Sequence, residues 1–241
     1  MAKAKTANKA KSSKRRTGGS PKVLAIDIGG SHVKILATGQ SERRRVVSGP
    51  EMTAEQMVED VKTLAEGWDY DAIAMGYPGP VMHNKPVVDP RNLGGGWAGF
   101  DFEATFGCPV KIVNDALMQA IGSYEGGHML FLGLGTGLGS ALIVDNVATP
   151  MELAHLPYKK GRTFEEYVGE AALKRLGKKK WRKEVTEVVE RLTAALEPDY
   201  IVLGGGNAER LDKMPPKCRL GDNANAFTGG FRLWEKGGVV T

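Results

Sequence analysis

Four apolar, β-rich runs in this 241-residue chain each end in glycine: Val23–Ile28 into Gly29-Gly30, Ala72–Met75 into Gly76-Tyr77-Pro78-Gly79, Met129–Leu132 into the run 133–139, and Tyr200–Leu203 into Gly204-Gly205-Gly206. Glycine accepts positive φ and lets backbone N–H groups come close to a ligand. Successive N–H groups in such turns form concave anion sites. One turn of this kind is an ordinary hairpin. Several of them, at strand ends in a chain that alternates strands and helices, fit a phosphate or sugar ligand held in a crevice between two halves.

Between the turns the pattern is α/β. Val23–Ile28, His32–Ala37 and Arg44–Val47 read as a three-stranded meander. Thr53 opens a helix with Gln56 at the capping-box position, Val58, Val61, Leu64 and Ala65 on one face, and Gly67 at its end. Strand Ala72–Met75, a short helix Phe102–Phe106, strand Val110–Val113 and helix Ala116–Glu125 complete a βββαβαβα half. The second half restarts with strands Met129–Leu132 and Ser140–Val144 and a turn at Asp145-Asn146. Thr163 begins a helix, with Glu166 at the capping-box position. Val185, Val188, Val189, Leu192, Ala195 and Leu196 form a further helical face that stops near Pro198, before strand Tyr200–Leu203. The halves share no obvious sequence repeat, only the order of a strand, a glycine turn and a returning strand.

Several classes are excluded. There is no G-x-x-x-x-G-K-[ST], so a P-loop fails. The glycines of 133–139 fall at every second position and the segment returns as a strand, which argues against a Rossmann dinucleotide site. Apolar runs are too short to cross a bilayer, and no apolar stretch follows the basic N-terminus as in a signal peptide. Cys108 and Cys218 make no disulfide framework, so a reducing cytoplasm is the expected location. With four histidines (32, 83, 128 and 155) and two distant cysteines, no zinc-ligand spacing exists. The net charge of +5 belongs to the N-terminus. Residues 1–22 hold eight Lys/Arg and no acid; without those eight, 25 basic residues face 28 acidic, a net −3. Residues 1–21, almost free of large apolar side chains, are expected to be a disordered basic tail.

Three constellations could carry chemistry. Asn114-Asp115 follows a strand and opens a helix. Aspartate is a favoured N-cap, but a carboxylate there could also take a proton from a hydroxyl attacking a phosphoryl group. Glu152 and His155, three apart, could bind neighbouring sugar hydroxyls or pair on the surface. Lys174, Arg175, Lys178, Lys179, Lys180, Arg182 and Lys183 surround Gly177; they form either a solvated face between two helices or a groove for an extended polyanion. Only Trp181 interleaves them, which weakens a single-stranded nucleic-acid version.

Together these segments resemble the ROK sugar kinases, in particular their polyphosphate/ATP glucokinase branch, over roughly residues 22–235. Ala25–Lys34 looks like the first phosphate motif of the actin-like ATPase fold, Leu134–Ala141 like the second, and Ile201–Gly206 like the adenosine motif. Gly76–Val81, Asn92-Leu93 and Trp97 resemble sugar-side loops, Val113–Ala116 the catalytic segment, and Glu152–Leu156 the sugar-binding segment. The resemblance implies an actin-like ATPase (RNase H-like) fold of two domains around a central cleft, a small one over 22–113 and a larger one over 114–241. It implies a hexose kinase, in the first place a glucokinase. Glucose or a similar hexose would be held by Asn92, Asn114, Asp115, Glu152 and His155, and Asp115 would deprotonate the 6-hydroxyl. ATP, polyphosphate or both would be cradled by Asp27, Gly29, Gly30, Ser31 and Lys34 and by Gly135, Thr136 and Gly137, with Gly204, Gly205 and Gly206 beneath an adenosine. Asp27 would place Mg²⁺ through water.

The departures carry expectations too. Ala154 stands where the family usually has glycine. No cysteine lies between Cys108 and Cys218, so the family's zinc motif is absent and His155 is expected to be metal-free. The glutamate that closes that motif and contacts sugar is expected to be missing with it. Residues 223–230 match the family's C-terminal segment only loosely. Membranes and nucleic acid are poor partners for such a chain, and a homodimer is left open. The alternative of another class is a non-catalytic sugar or nucleotide sensor; it lacks room for an N-terminal DNA-binding domain in residues 1–22.

Overall fold

The computed structural model describes residues 20–241. The expected tail over 1–21 lies outside the described residues, apart from Ser20 and Pro21. The first half contains β1 (Val23–Ile28), β2 (His32–Ala37), β3 (Arg44–Val47), α1 (Ala54–Leu64), β4 (Ala72–Tyr77), a hairpin of β5 (Val81–Met82) and β6 (Lys85–Pro86), α2 (Phe102–Phe106), β7 (Val110–Asn114) and α3 (Asp115–Ser123). The second contains β8 (His128–Leu134), β9 (Leu138–Val144), β10 (Val147–Met151), a 3-10 turn Leu153–His155, α4 (Glu165–Val168), α5 (Glu170–Leu196), β11 (Tyr200–Gly204), a 3-10 turn Ala208–Arg210, β12 (Cys218–Leu220) and α6 (Asn225–Arg232).

Each half builds the same five-stranded sheet. The orders are β3-β2-β1-β4-β7 and β10-β9-β8-β11-β12. In each, three antiparallel strands are followed by two parallel ones. Two sheets of this order, side by side around a cleft, are the actin-like ATPase fold expected from the resemblance. β1 and β4 are almost wholly buried because helices cover both faces, as continuous Val/Ile/Ala runs in parallel sheets require. β2 alternates instead, with Val33, Ile35 and Ala37 inward, as an antiparallel strand with one face away from the core does.

Helices then fix the layers. Thr53 caps α1, its hydroxyl accepting from the Gln56 N–H at 3.2 Å, and Met57, Val58 and Val61 face the first sheet. α3 and α6 form the layer between the sheets. α3 packs on β4, β8 and β9, and α6 on β1 and β4. The two helices cross at glycine: a Cβ on Gly122 would enter the Asn225 carbonyl, and one on Gly229 the Met118 carbonyl. α5 is two helices joined at Gly177, whose φ of 73° and ψ of 157° are not helical. Trp181, fully buried after that break, donates its indole N–H to the Val168 carbonyl at 2.7 Å.

Some boundaries differ from the sequence reading. α3 begins at Asp115 rather than Ala116 and ends at Ser123, where the backbone turns extended at Tyr124. The helix expected from Thr163 begins at Glu165. Glu166 does reach back to the Thr163 N–H at 2.9 Å, half of the capping box.

Candidate active site

A cavity of about 650 Å³ opens between the sheets, where the glycine-ended strands converge. Among the expected residues it is lined by Gly29, Gly30, Asn92, Asn114, Asp115, Gly135, Thr136, Gly137, Glu152, His155 and Gly205. Asp27, Ser31, Lys34, Gly204 and Gly206 lie off its lining. Strand register explains the meeting: Asp27 pairs with Gly76, Gly76 with Val113 and Tyr77 with Asn114, while Gly133 pairs with both Gly139 and Gly204.

The N-cap of α3 is Asn114, not Asp115. The Asn114 side-chain oxygen accepts from the Ala116 and Leu117 N–H groups at 3.0 and 3.3 Å, and its amide donates to the Gly79 carbonyl at 3.2 Å. Capping is thus discharged by the neighbour, which leaves Asp115 one oxygen on the Ala116 N–H at 2.8 Å and the rest of its carboxyl toward the cleft. Protein crowds Asp115 on every side but the cleft. That desolvation pushes its pKa from 3.8 up to about 7; the bond to the Ala116 N–H opposes the rise, and the charges of Asp27 and Glu152 add to it.

The same cavity holds groups suited to a polyol. Glu152 and His155 face each other at 3.6 Å across the 3-10 turn, both well exposed to the cleft. Asn92 sits in the loop 89–98, which Asp89 closes: its carboxylate accepts from the N–H groups of Trp97, Ala98 and Gly96 at 2.8, 3.0 and 3.3 Å. Those bonds, Ala98 first, hold the Asp89 carboxyl below the usual carboxylate range. Trp97 beneath is fully buried against Tyr77, whose hydroxyl donates to the Val88 carbonyl.

The cleft also holds an acidic residue outside the expected set. A glutamate after His155 is present in the cleft: Glu165, at the start of α4, places its carboxylate over Gly137, accepts from the Leu138 N–H at 3.3 Å and lines the cavity with Glu152 and His155. Thr163-x-x-Glu166 drew attention to the next residue as the capping partner and hid it. Gln119, one helical turn after Asp115, also lines the cavity and was missed, as was Arg91.

The anion turns line the cavity too. The N–H groups of Gly30, Ser31, Thr136 and Gly137 take no backbone partner among the described residues, whereas Gly29 and Gly135 bond to His32 and Gly137 carbonyls. Four free donors at two facing turns are an anion cradle. Gly205 must be glycine: its φ is 79° and a Cβ would lie 2.5 Å from the Leu134 carbonyl oxygen. Asp27 is paired with Lys34 at 3.2 Å. Among the described residues no group of three His, Cys, Asp or Glu could cage a metal. Mg²⁺ needs no such cage, since it takes one or two carboxylates plus phosphate oxygens and water. The charges of Asp27 and Glu152 both act on Asp115, and this gathering of carboxylates near the anion turns fits a cation arriving with the donor.

The chain is similar to known proteins in sequence and fold. A profile described as the ROK family matches residues 23–150. The chain is 29% identical over 215 residues to the polyphosphate glucokinase of Mycobacterium tuberculosis (strain CDC 1551 / Oshkosh), covering 80% of each chain. It superposes with a TM-score of 0.75 on the inorganic polyphosphate/ATP-glucomannokinase from Arthrobacter sp. strain KM, at 23% identity, over 88% of this chain and 97% of that one. A ROK family glucokinase from Streptomyces griseus, in complex with glucose and AMPPNP, superposes at 0.71 and 16% identity, over 88% and 99% of the two chains.

Proposed function

Because the chain belongs to the ROK family, we propose that it is a hexose kinase, in the first place a glucokinase, that moves a phosphoryl group from ATP, polyphosphate or both to the sugar 6-hydroxyl. The observation that carries this is Asp115: a carboxyl with a pKa pushed up to about 7, freed from capping by Asn114, in one cavity with polyol-suited side chains and an anion cradle. A general base works best when its pKa lies near the working pH.

In this reading Glu152, His155 and Asn92 accept from and donate to the sugar hydroxyls and turn the 6-hydroxyl toward Asp115. Glu165, over the Gly137 turn, adds a further acceptor to the cavity. Asp115 takes the hydroxyl proton as the oxygen approaches phosphorus. Asn114 holds the start of α3, and hence Asp115, against the Gly79 carbonyl. The N–H groups of Gly30, Ser31, Thr136 and Gly137 receive donor phosphate oxygens, and Gly205 lets the chain pass close beneath a nucleoside. Asp27 would hold Mg²⁺, which when bound neutralises phosphate charge. Little covalent work falls to the protein; positioning and electrostatics supply the rate.

A coupled assay of glucose, mannose, N-acetylglucosamine and fructose against ATP and polyphosphate tests the proposal. Asp115→Asn should lower kcat by roughly 10²–10⁴ with the fold intact. Turnover at the parent rate in that variant would remove Asp115 as the base, and silence of the parent toward every pair would remove the kinase reading.

A further inference from the structure

We infer that the lysines after the break in α5 form a second binding groove that carries an extended inorganic polyanion outward from the donor turns of the cleft. The inference rests on the phosphoryl-transfer reading above and names the donor class that this part of the protein would select.

The groove, about 660 Å³, lies between the second part of α5 and the loop 211–216, with Lys179, Arg182, Lys183 and Lys213 around Leu211 and Met214. A merely solvated face needs no such hollow. Lys178, Lys179, Lys180, Lys183 and Lys213 have no carboxylate partner among the described residues. Lys174, before the break, is held by Glu170, and Arg182 by Asp212. Of the carboxylates at the groove, Glu187 is neutralised by Lys159 and Arg191 and Asp212 by Arg182, which leaves Glu190. Three free cations at the groove, Lys179, Lys183 and Lys213, therefore face one free anion, with Lys178 and Lys180 on the same helix outside its lining.

The groove is tied to the donor turns by one loop and three hydrogen bonds. Gly205 lines the cleft, and Leu211, six residues on, lines the groove. The Asn207 amide donates to the Gly135 carbonyl at 3.1 Å, Arg210 Nε donates to the Asn207 side-chain oxygen at 3.0 Å, and Arg182 Nε donates to the Arg210 carbonyl at 2.7 Å. Arg210, exposed, stands midway. A ligand with a charge on every repeating unit meets Arg210 on this path before it reaches the free lysines. A nucleoside triphosphate ends in an uncharged ribose and base and gains nothing from the distant lysines. No aromatic side chain lines the groove and Trp181 is buried, so it offers no platform for stacking nucleobases.

The test is the full chain carrying Lys179→Ala, Lys183→Ala and Lys213→Ala together, none of which is in the catalytic cleft. Glucose phosphorylation is measured with long-chain polyphosphate, tripolyphosphate and ATP at low and high salt. Direct titrations with long-chain polyphosphate and with a single-stranded oligonucleotide run beside it, without sugar. Unit charges at contact distance in water, screened by salt, lead to a KM for the long chain raised on the order of tenfold at low salt and less at high salt. ATP and tripolyphosphate should stay within about twofold of the parent, because changes confined to one donor report lost binding to that donor alone. The inference is overturned if all three donors respond alike, if the long chain does not respond, or if the oligonucleotide binds as tightly as polyphosphate and is lost in the same variant. If the parent phosphorylates no sugar, the kinase reading fails by itself. The polyphosphate titration then still decides the groove: weakened binding in the variant upholds it, and equal binding overturns it.

Discussion

Replacing Asp115 by asparagine is expected to stabilise the protein while removing its chemistry. Asparagine keeps the oxygen that accepts from the Ala116 N–H, so packing is unchanged and only the charge is lost. In the folded protein Asp115 titrates near 7, against 3.8 in the unfolded chain. Between those values the folded state holds a proton that the unfolded state has released, so stability falls as pH rises through the window. Above about pH 7 the whole penalty is present. Three units at 1.36 kcal/mol each set a ceiling of about 4 kcal/mol; Asp115 still faces the water of the cleft, and screening there leaves roughly 1–3 kcal/mol. For a chain of this size that is a gain of about 2–10 °C in Tm. Urea and thermal unfolding of parent and variant between pH 4 and 8.5 measure it. The curves should converge near pH 4 and separate above pH 7, the variant being the more stable. A difference that ignores pH, or a variant less stable at pH 8.5, would refute the assignment of a strained carboxyl.

Other outcomes follow from the same geometry. With the parent, kcat/KM for the sugar should fall about tenfold per pH unit below about 7, as a required base becomes protonated; a flat profile down to pH 5 contradicts it. Asp27→Asn and Glu152→Gln each remove a charge that raises the Asp115 pKa, so the acid limb of that profile should move to lower pH in both, and further for Asp27→Asn; a move upward would reverse the electrostatic account. Asp89→Ala strands three backbone N–H groups of the 89–98 loop and should raise KM for the sugar more than it lowers kcat, with donor KM unchanged. Gly122→Ala drives a methyl into the Asn225 carbonyl, and overpacking of about 1–3 kcal/mol or more should appear as a lower Tm.

The elements that read well in the sequence are those whose signal is local. β1 and β4 announce themselves by apolar runs ending in glycine, and α1 by a capping residue and an apolar face. β10 was missed because its sequence holds Pro150; it lies at a sheet edge, where proline breaks no ladder bond that matters. β12 is three residues long and exists through its pairing with β11, a contact that no nearby residue foretells. α6 carries two adjacent glycines, poor helix formers, and is helical because those positions let it lie on β1: Gly230 approaches the Ala25 and Ala74 methyls. At the site, Asp115 was found by its place after a strand, but its freedom was not. Asparagine and aspartate are both good caps, and a shift of one residue in the helix start decides which of them caps. Glu165 was hidden behind a true capping signal one residue away.

The packing of α6 on the first sheet also sets an order of events during synthesis. Trp234 donates to the Ile73 carbonyl across 161 residues, and Lys111 to the Leu233 carbonyl across 122. All five strands of the first sheet leave the ribosome early and α3 follows onto β4, yet the patch of β1 around Ala25 that α6 covers waits until that helix is made. At about 5–20 residues per second the interval between β7 and α6 is roughly 6–25 s. Throughout it the nascent chain presents that apolar patch with its partner not yet translated. A ribosome pausing in the second half would lengthen that exposure, and a chaperone that binds apolar strands would find its target there.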